Sequence, residues 1–386
     1  MDSYFAVTAP GLEPFAAEEL RGLDLLPAPE TGSNVLSRYY NTEPGGVLFK
    51  GDLDALYRAN LHLRTTNRIL ARLGNFFYAT TFPELHKRAS RLPWERFLTP
   101  GQPVALHVTC HTSKLYHSDA VARTVVEAIA ERMGKPSPVI KADEDSDQPP
   151  QSIVVRLVED KCTVSVDSSG VLLHKRGYRQ AVAKAPLRET LAAGILLASG
   201  WDRHSPLLDP FCGSGTIPIE AALLALGIPP GMNRRFALMD WPSYDEQFWQ
   251  AIKNESQPSS VNPPPLILAS DRDAGAIKMA QANAERAGVA DFIEFKCQAV
   301  SAITPPTGRG WVVTNPPYGL RVSQGKDLRN LYAQFGNVLR QHCLGWDLSV
   351  LCSDASLLGQ MRIPLDTSLR LVNGGVKVRL GRGKVE

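Results

Sequence analysis

Apolar residues recur along this chain with two different periods, and the way the periods are mixed changes near residue 187. Tyr4-Phe5-Ala6-Val7-Thr8 reads as a strand stopped by Pro10-Gly11. Leu12, Phe15, Ala16, Glu19 and Leu20 then fall at helical spacing, which predicts a helix over 12–23. Val47-Leu48-Phe49-Lys50-Gly51 predicts a second strand and turn, followed by an amphipathic helix over 53–60. Further on come a helix over 84–92, a strand over 104–109 and a helix over 118–133. Residues 135–151 are polar and proline-rich and read as an exposed loop. Alternation over 153–158 and 162–167 predicts a hairpin. Such a mixture implies an α+β first half.

Beyond Leu187 helices and short apolar runs alternate regularly. Helices are predicted over 187–199, 218–226 and 274–287, and strands over 206–209, 266–270, 292–297 and 311–314. Alternation of this kind means a parallel sheet with helices on both faces, and ligands bind at the carboxyl ends of its strands. Residues 227–265 interrupt the rhythm. They carry Pro229-Pro230, Pro258 and Pro263-Pro264-Pro265 together with Trp241, Phe248 and Trp249, and read as an insertion that is helical over 245–253.

A length of 386 residues suits two or three domains. No run of 18 apolar residues is present, so no membrane helix is expected. The opening Met1-Asp2-Ser3-Tyr4 lacks a basic-then-apolar leader, and the six cysteines form no Cys-x-x-Cys pair. Free thiols in a reducing cytoplasm are the expectation. His107, Cys110 and His111 lie on a strand with no partner residues at ligand spacing, so no metal is expected. A net charge of +3 does not by itself point to a nucleic-acid partner.

The chemistry is concentrated in three turns. Asp209-Pro210-Phe211-Cys212-Gly213-Ser214-Gly215-Thr216 joins a strand to a helix, and its glycines let backbone approach a ligand. N–H groups at the start of that helix suit an anion such as a carboxylate. Pro218 stands where a dinucleotide fold wants its third glycine, which argues against NAD. An ordinary tight turn would look similar. Asp271 closes the next strand, where a carboxylate can accept both ribose hydroxyl protons or cap a helix; Asp273 suits the cap better. Asn315-Pro316-Pro317-Tyr318 ends the strand over 311–314. An exocyclic amine is a poor nucleophile because its lone pair is delocalised into the ring. Two acceptors, the Asn315 side-chain oxygen and the Pro316 carbonyl, can turn it toward a tetrahedral, attacking geometry. The prolines stiffen the loop, and Tyr318 offers a flat face to a base. Cys212 has no activating neighbour in sequence.

These motifs resemble those of class I S-adenosylmethionine-dependent methyltransferases acting on amino groups, and in particular the THUMP-domain RNA guanine-N2 methyltransferases that modify 23S ribosomal RNA. The likeness covers nearly the whole chain. It includes Gly11-Leu12-Glu13, Gly51-Asp52-Leu53, Leu92-Pro93-Trp94-Glu95, Ser113-Lys114-Leu115-Tyr116-His117-Ser118, the stretches 173–179 and 185–193, and the two motifs just described. It implies an α/β protein whose C-terminal domain is Rossmann-like, preceded by a ferredoxin-like part at 1–75, a THUMP domain at 76–170 and a linker at 171–184, with the catalytic domain at 185–386. It also implies S-adenosyl-L-methionine as cofactor, held by Pro186, Glu189, Thr190, Asp209, Phe211, Gly213, Gly215, Thr216, Asp271, Arg272, Gln298, Ala299 and Asn315. Catalysis would rest on Asn315, Pro316, Pro317 and Tyr318. The family places an acid near the cofactor adenine where this chain has Cys297-Gln298-Ala299; Gln298 can still accept through its side-chain oxygen.

RNA is the expected partner: 23S rRNA, with tRNA as the alternative. Asn-Pro-Pro-Tyr also suits N6-adenine methylation of DNA, and a non-catalytic protein that binds the cofactor is the reading from another class. Arg64, Arg68 and Arg72 recur every four residues, so a helix there would carry a basic stripe for RNA or a merely solvated face. Lys114 and His117 are further RNA candidates.

Overall fold

A computed structural model describes residues 1–28, 42–43, 45–141, 149–179, 187–257, 265–318 and 328–386. They form two compact units. Unit 1 comprises Met1–Val7, Ala17–Leu173 and Arg234–Glu255; unit 2 comprises Thr8–Ala16, His174–Asn233 and Ser256–Glu386.

The first part of the chain runs β1 (Asp2–Thr8), α1 (Glu13–Gly22), β2 (Thr42–Glu43), β3 (Gly46–Gly51), α2 (Leu53–His62), β4 (Thr66–Arg72), β5 (Phe77–Tyr78), α3 (Phe82–Ala89), β6 (Val104–His111), α4 (Ser118–Met133), β7 (Gln151–Val158) and β8 (Lys161–Asp167). One sheet holds all eight strands in the order β2-β3-β1-β4-β8-β7-β6, with β5 on β8. The segments 1–75 and 76–170 therefore share a sheet, joined where β4 pairs antiparallel with β8. Asp52 and Thr81 cap α2 and α3 through their side chains, as short oxygen-bearing residues before a helix do.

The basic helix expected through Arg64, Arg68 and Arg72 is a strand. α2 ends at His62, and Thr66–Arg72 becomes β4, between β1 and β8 in the sheet order. Sheet pairing outweighs the i, i+4 spacing of the arginines, and the β-branched pair Thr65-Thr66 suits the extended chain. Arg64 is buried, Arg68 ion-pairs with the fully buried Asp167, and the Arg72 guanidinium lies 5.2 Å from the Phe5 ring centroid. These arginines are tied into unit 1 itself.

The second part begins with α5 (Glu189–Ala198), β9 (Leu207–Asp209) and α6 (Thr216–Ala225). Residues 234–255 then belong to unit 1 and carry α7 (Glu246–Glu255). Trp241 and Trp249 of the insertion are core there, whereas Phe248 is exposed. The Trp241 indole donates to Gln151 (2.8 Å) and meets Phe97 edge-on, while Trp249 meets Tyr57 edge-on at 5.5 Å. Nothing in the local pattern of 227–265 distinguishes this from a loop of the second half; the decision lies in long-range aromatic burial.

Unit 2 continues with β10 (Ile267–Asp271), α8 (Ala274–Arg286), β11 (Ile293–Cys297), β12 (Trp311–Thr314), α9 (Arg329–His342), β13 (Asp347–Cys352), α10 (Ala355–Gln360), β14 (Asp366–Asn373) and β15 (Val376–Lys384). Its sheet runs β11-β10-β9-β12-β13-β15-β14. The five strands from β11 to β13 are parallel, whereas β15 runs antiparallel to both of its neighbours, β13 and β14. The expected wholly parallel sheet is thus corrected at its far edge, where a hairpin rather than a helical crossover supplies the last two strands. Alternate strand residues feed two cores. Leu207, Ile267 and Val313 join α5, α6 and α8, while Leu208, Leu268 and Val312 join α9 and α10. With helices on both faces this is a Rossmann-like fold. Its strand order reverses between β9 and β12, the place where such sheets open a crevice for ligands.

Candidate active site

Both motifs converge on that crevice. Asp209 ends β9 and Asn315 follows β12. The Thr314 hydroxyl donates to Asp209 at 2.6 Å, and the Phe211 N–H donates to the same oxygen at 3.2 Å. Burial pushes the Asp209 carboxyl up to about 7, against these two hydrogen bonds and with the nearby Asp271 charge adding to the rise. Asp209 therefore ties the glycine loop to β12. Phe211 packs edge-on against Phe335 at 5.1 Å and so anchors the loop in the core.

Gly213 and Gly215 both have left-handed backbone, with φ of +52° and +85°. They serve differently. A Cβ on Gly213 would meet open space, whereas one on Gly215 would lie 3.0 Å from the Ala280 Cβ of α8. Gly215 lets α6 and α8 approach, and Gly213 leaves the loop open. The Gly213 N–H donates to Asp271 Oδ2 (3.1 Å), and the Gly215 N–H to the Cys212 carbonyl (2.8 Å). Those two N–H groups are thus engaged within the protein. Asn283 on α8 braces the loop from behind by donating to the Ser214 carbonyl at 2.9 Å. Burial and the two neighbouring aspartates push the Cys212 thiol well up, which leaves it an unreactive thiol.

Asp271 accepts from Gly213 with one oxygen and from the Asp273 N–H (3.0 Å) with the other. A carboxylate has about four acceptor positions, so each oxygen retains one for a further donor. Asp273 caps α8, accepting from Gly275 and Ala276. Arg272 is exposed. The Gln298 N–H donates to the Asp271 carbonyl (3.0 Å), which brings the ends of β10 and β11 together, and Ala299 is exposed beside it.

Asn315 is half-buried, and its side-chain oxygen has no hydrogen-bond partner among the described residues. A buried acceptor left open costs stability and is available to a ligand's donor. Pro316 is buried, and the Pro317 carbonyl accepts from the Tyr332 hydroxyl (3.3 Å). The Tyr318 hydroxyl accepts from Asn373 at 3.1 Å.

Sequence reading missed the support behind α5 and α6. Arg179 donates to Thr216 (2.5 Å) and to the Leu187 carbonyl, and pairs with the buried Glu189 at 3.3 Å. Arg176 and Tyr178 both reach Glu220, at 3.5 and 3.2 Å. The signal was present: one carboxylate on each of two otherwise apolar helices demands a buried partner, and the stretch 173–179 is rich in basic residues. The second oxygen of Glu189 has no partner among the described residues. Thr190 is buried, and Pro186 lies outside the described residues.

In unit 1, Lys114 and His117 are exposed in the segment between β6 and α4. The Lys114 N–H donates to Asp160 (2.7 Å), and the His117 ring lies against Tyr116. Among the described residues, no group of three His, Cys, Asp or Glu could hold a metal, and no helix is long and apolar enough to cross a membrane.

Comparison with known families agrees with this fold. Residues 176–377 match the RMKL-like methyltransferase domain, 3–70 the RlmL ferredoxin-like domain and 79–167 the THUMP domain. The chain belongs to the RMKL-like methyltransferase family. It is 33% identical to slr0064 of Synechocystis sp., whose name carries a provisional RNA methyltransferase assignment, over 98% of this chain and 95% of that one. It is 34% identical to the ribosomal RNA large subunit methyltransferase K/L of Desulfotalea psychrophila over 88% of this chain. It spans about half of that relative, 48% of its length. The crystal structure of SMU.472 complexed with SAH superposes with a TM-score of 0.83 at 30% identity, covering 99% of this chain and 97% of the other.

Proposed function

We propose that the protein transfers a methyl group from S-adenosyl-L-methionine to the N2 amine of a guanine in 23S rRNA, in the cytoplasm. The observation that carries the reading is the open, buried Asn315 oxygen at the end of β12, beside a proline-stiffened turn whose tyrosine is held in place. The name of the K/L relative and the SAH bound to SMU.472 support the substrate class and the cofactor.

The residues of the crevice fit that cofactor. S-Adenosyl-L-methionine supplies an electrophilic methyl group on a sulfonium. Asp271 has acceptor positions left for two ribose hydroxyls, and the open side of Gly213 admits the ligand close to backbone. Gln298 and Ala299 flank the adenine. Glu189, Thr190 and Thr216 serve the methionine end, the Glu189 carboxylate facing its ammonium. Tyr318 stacks on the guanine. Asn315 and the Pro316 carbonyl accept from the N2 hydrogens, which draws the lone pair out of conjugation. As the carbon–nitrogen bond forms and the carbon–sulfur bond breaks, Asn315 stabilises the positive charge on nitrogen, and one amine proton passes to water. No residue becomes covalently attached.

A guanine within a stem hides N2 in the shallow groove, so the target is unpaired or flipped at a cost of a few kcal/mol. We assign the ferredoxin-like part (1–75) and the THUMP domain (76–170) to holding a neighbouring stem, with Lys114 and His117 among the contacts and the catalytic domain at 185–386. Phosphate contacts make that affinity fall steeply with salt. Nucleoside mass spectrometry of rRNA, tRNA and DNA from a deletion strain tests the reading. Loss of N2-methylguanosine from 23S rRNA is expected. Loss from tRNA alone would move the substrate, and loss of N6-methyladenine from DNA would overturn the guanine assignment.

A further inference from the structure

We propose that Asn373 is a positioning residue for Tyr318, so that the β14–β15 hairpin helps set the orientation of the target base. The inference rests on the reading of Tyr318 as the stacking face. Tyr318 packs at the meeting of both cores of unit 2, and its hydroxyl accepts from the Asn373 side-chain amide at 3.1 Å. That hydroxyl lies on the ring's long axis, so a donor there fixes the direction of the axis without itself covering a face of the ring.

The donor is itself rigidly held. Asn373 is the last residue of β14 and pairs with Val376, leaving Gly374 and Gly375 as a two-residue turn. Both glycines have left-handed backbone, with φ of +55° and +85°. A turn of this kind matches the twist of the flanking strands and locks their register. β15 is in turn paired with β13 over six residue pairs, Asp347↔Lys384 to Cys352↔Arg379.

A second anchor acts on the peptide just before the ring. Tyr332 of α9, itself fully buried, donates to the Pro317 carbonyl at 3.3 Å and lies 3.3 Å from Cys352 Sγ. The tyrosine is thus held at both ends, by α9 through its preceding carbonyl and by β14 through its hydroxyl. Neither contact touches the glycine loop. Losing the Asn373 contact should therefore impair handling of the base and leave cofactor binding intact.

The test is a double-mutant cycle on the full chain, with kcat and KM for a 23S rRNA fragment and calorimetric affinity for S-adenosyl-L-methionine. Asn373→Leu keeps the branched shape and removes the donor; Tyr318→Phe removes the acceptor. Each is expected to lower kcat/KM about fivefold, the worth of one ordinary hydrogen bond. The double variant should be no worse than either single one, and cofactor affinity should stay unchanged. Asn373→Asp should return activity to within about twofold, because the tyrosine can donate to the carboxylate. Multiplicative losses in the cycle, or no rescue by aspartate, overturn the proposal. If the wild type instead methylates adenine in DNA, the guanine reading falls while the same cycle, run on that substrate, still decides the role of Asn373.

Discussion

Asn315→Ala should nearly abolish methyl transfer without destabilising the fold. Buried acceptors normally hold a protein together, and removing one costs stability by orphaning its donor. The Asn315 oxygen has no such donor among the described residues. Its desolvation is an uncompensated cost of about 1–3 kcal/mol, which truncation relieves. For a unit of about 200 residues, each kcal/mol corresponds to roughly 2–4 °C in melting temperature, so the variant should melt at or above the wild-type temperature. The catalytic effect has the opposite sign. An acceptor that meets charge developing in the transition state is comparable to one oxyanion-hole donor, about 3–4 kcal/mol, or a 10²–10³-fold loss in kcat. Cofactor affinity should fall far less than activity, because Asp271 and the glycine loop are untouched. Asn315→Asp, which keeps an acceptor at the same place, should retain more activity than the alanine variant. The assay is single-turnover transfer of labelled methyl to rRNA, with scanning calorimetry on the same samples. A variant that melts several degrees lower and loses activity only in proportion to its folded fraction would show that Asn315 is a structural residue.

Three more perturbations test the arrangement. Arg68→Ala removes the guanidinium beside fully buried Asp167 and should cost unit 1 about 3 kcal/mol, read as a lower urea midpoint; unchanged stability with weakened RNA binding would restore the surface reading of this arginine. Asp209 has its folded pKa raised by burial to about 7, so the folded state holds a proton that the unfolded state has lost between about pH 4 and 7. The Asp209 contribution to stability therefore falls as pH rises through that window, and wild type should lose stability relative to Asp209→Asn from pH 4 to 7; a difference between the two that is constant with pH refutes the assignment. Gly215→Ala sets a Cβ 3.0 Å from Ala280 on left-handed backbone, while Gly213→Ala meets open space, so the first should lower the melting temperature clearly more than the second.

The sequence by itself determined the order of most elements, the Rossmann-like half and the two motifs of the crevice, because these depend on local periodicity and on residues with few alternatives. Asn-Pro-Pro-Tyr after an apolar run, and a glycine turn after another, are legible within a few positions. What it left open depends on contacts distant along the chain. Arg64, Arg68 and Arg72 keep a helical spacing, yet pairing of Leu70 with Asp167 draws the segment into a sheet. Trp241 and Trp249 read as an insertion's ornaments until Gln151, Phe97 and Tyr57 bury them in unit 1. Beyond Tyr318, the antiparallel edge and the Asn373 contact, 55 positions along the chain, were invisible because no local pattern encodes where a hairpin tip will lie. The bond from the Gly213 N–H to Asp271 was invisible for the same reason: the two residues are 58 positions apart and meet only when β10 pairs with β9. Residue chemistry fixes what a turn can do, and the packing of distant elements fixes which donors and acceptors remain open to do it.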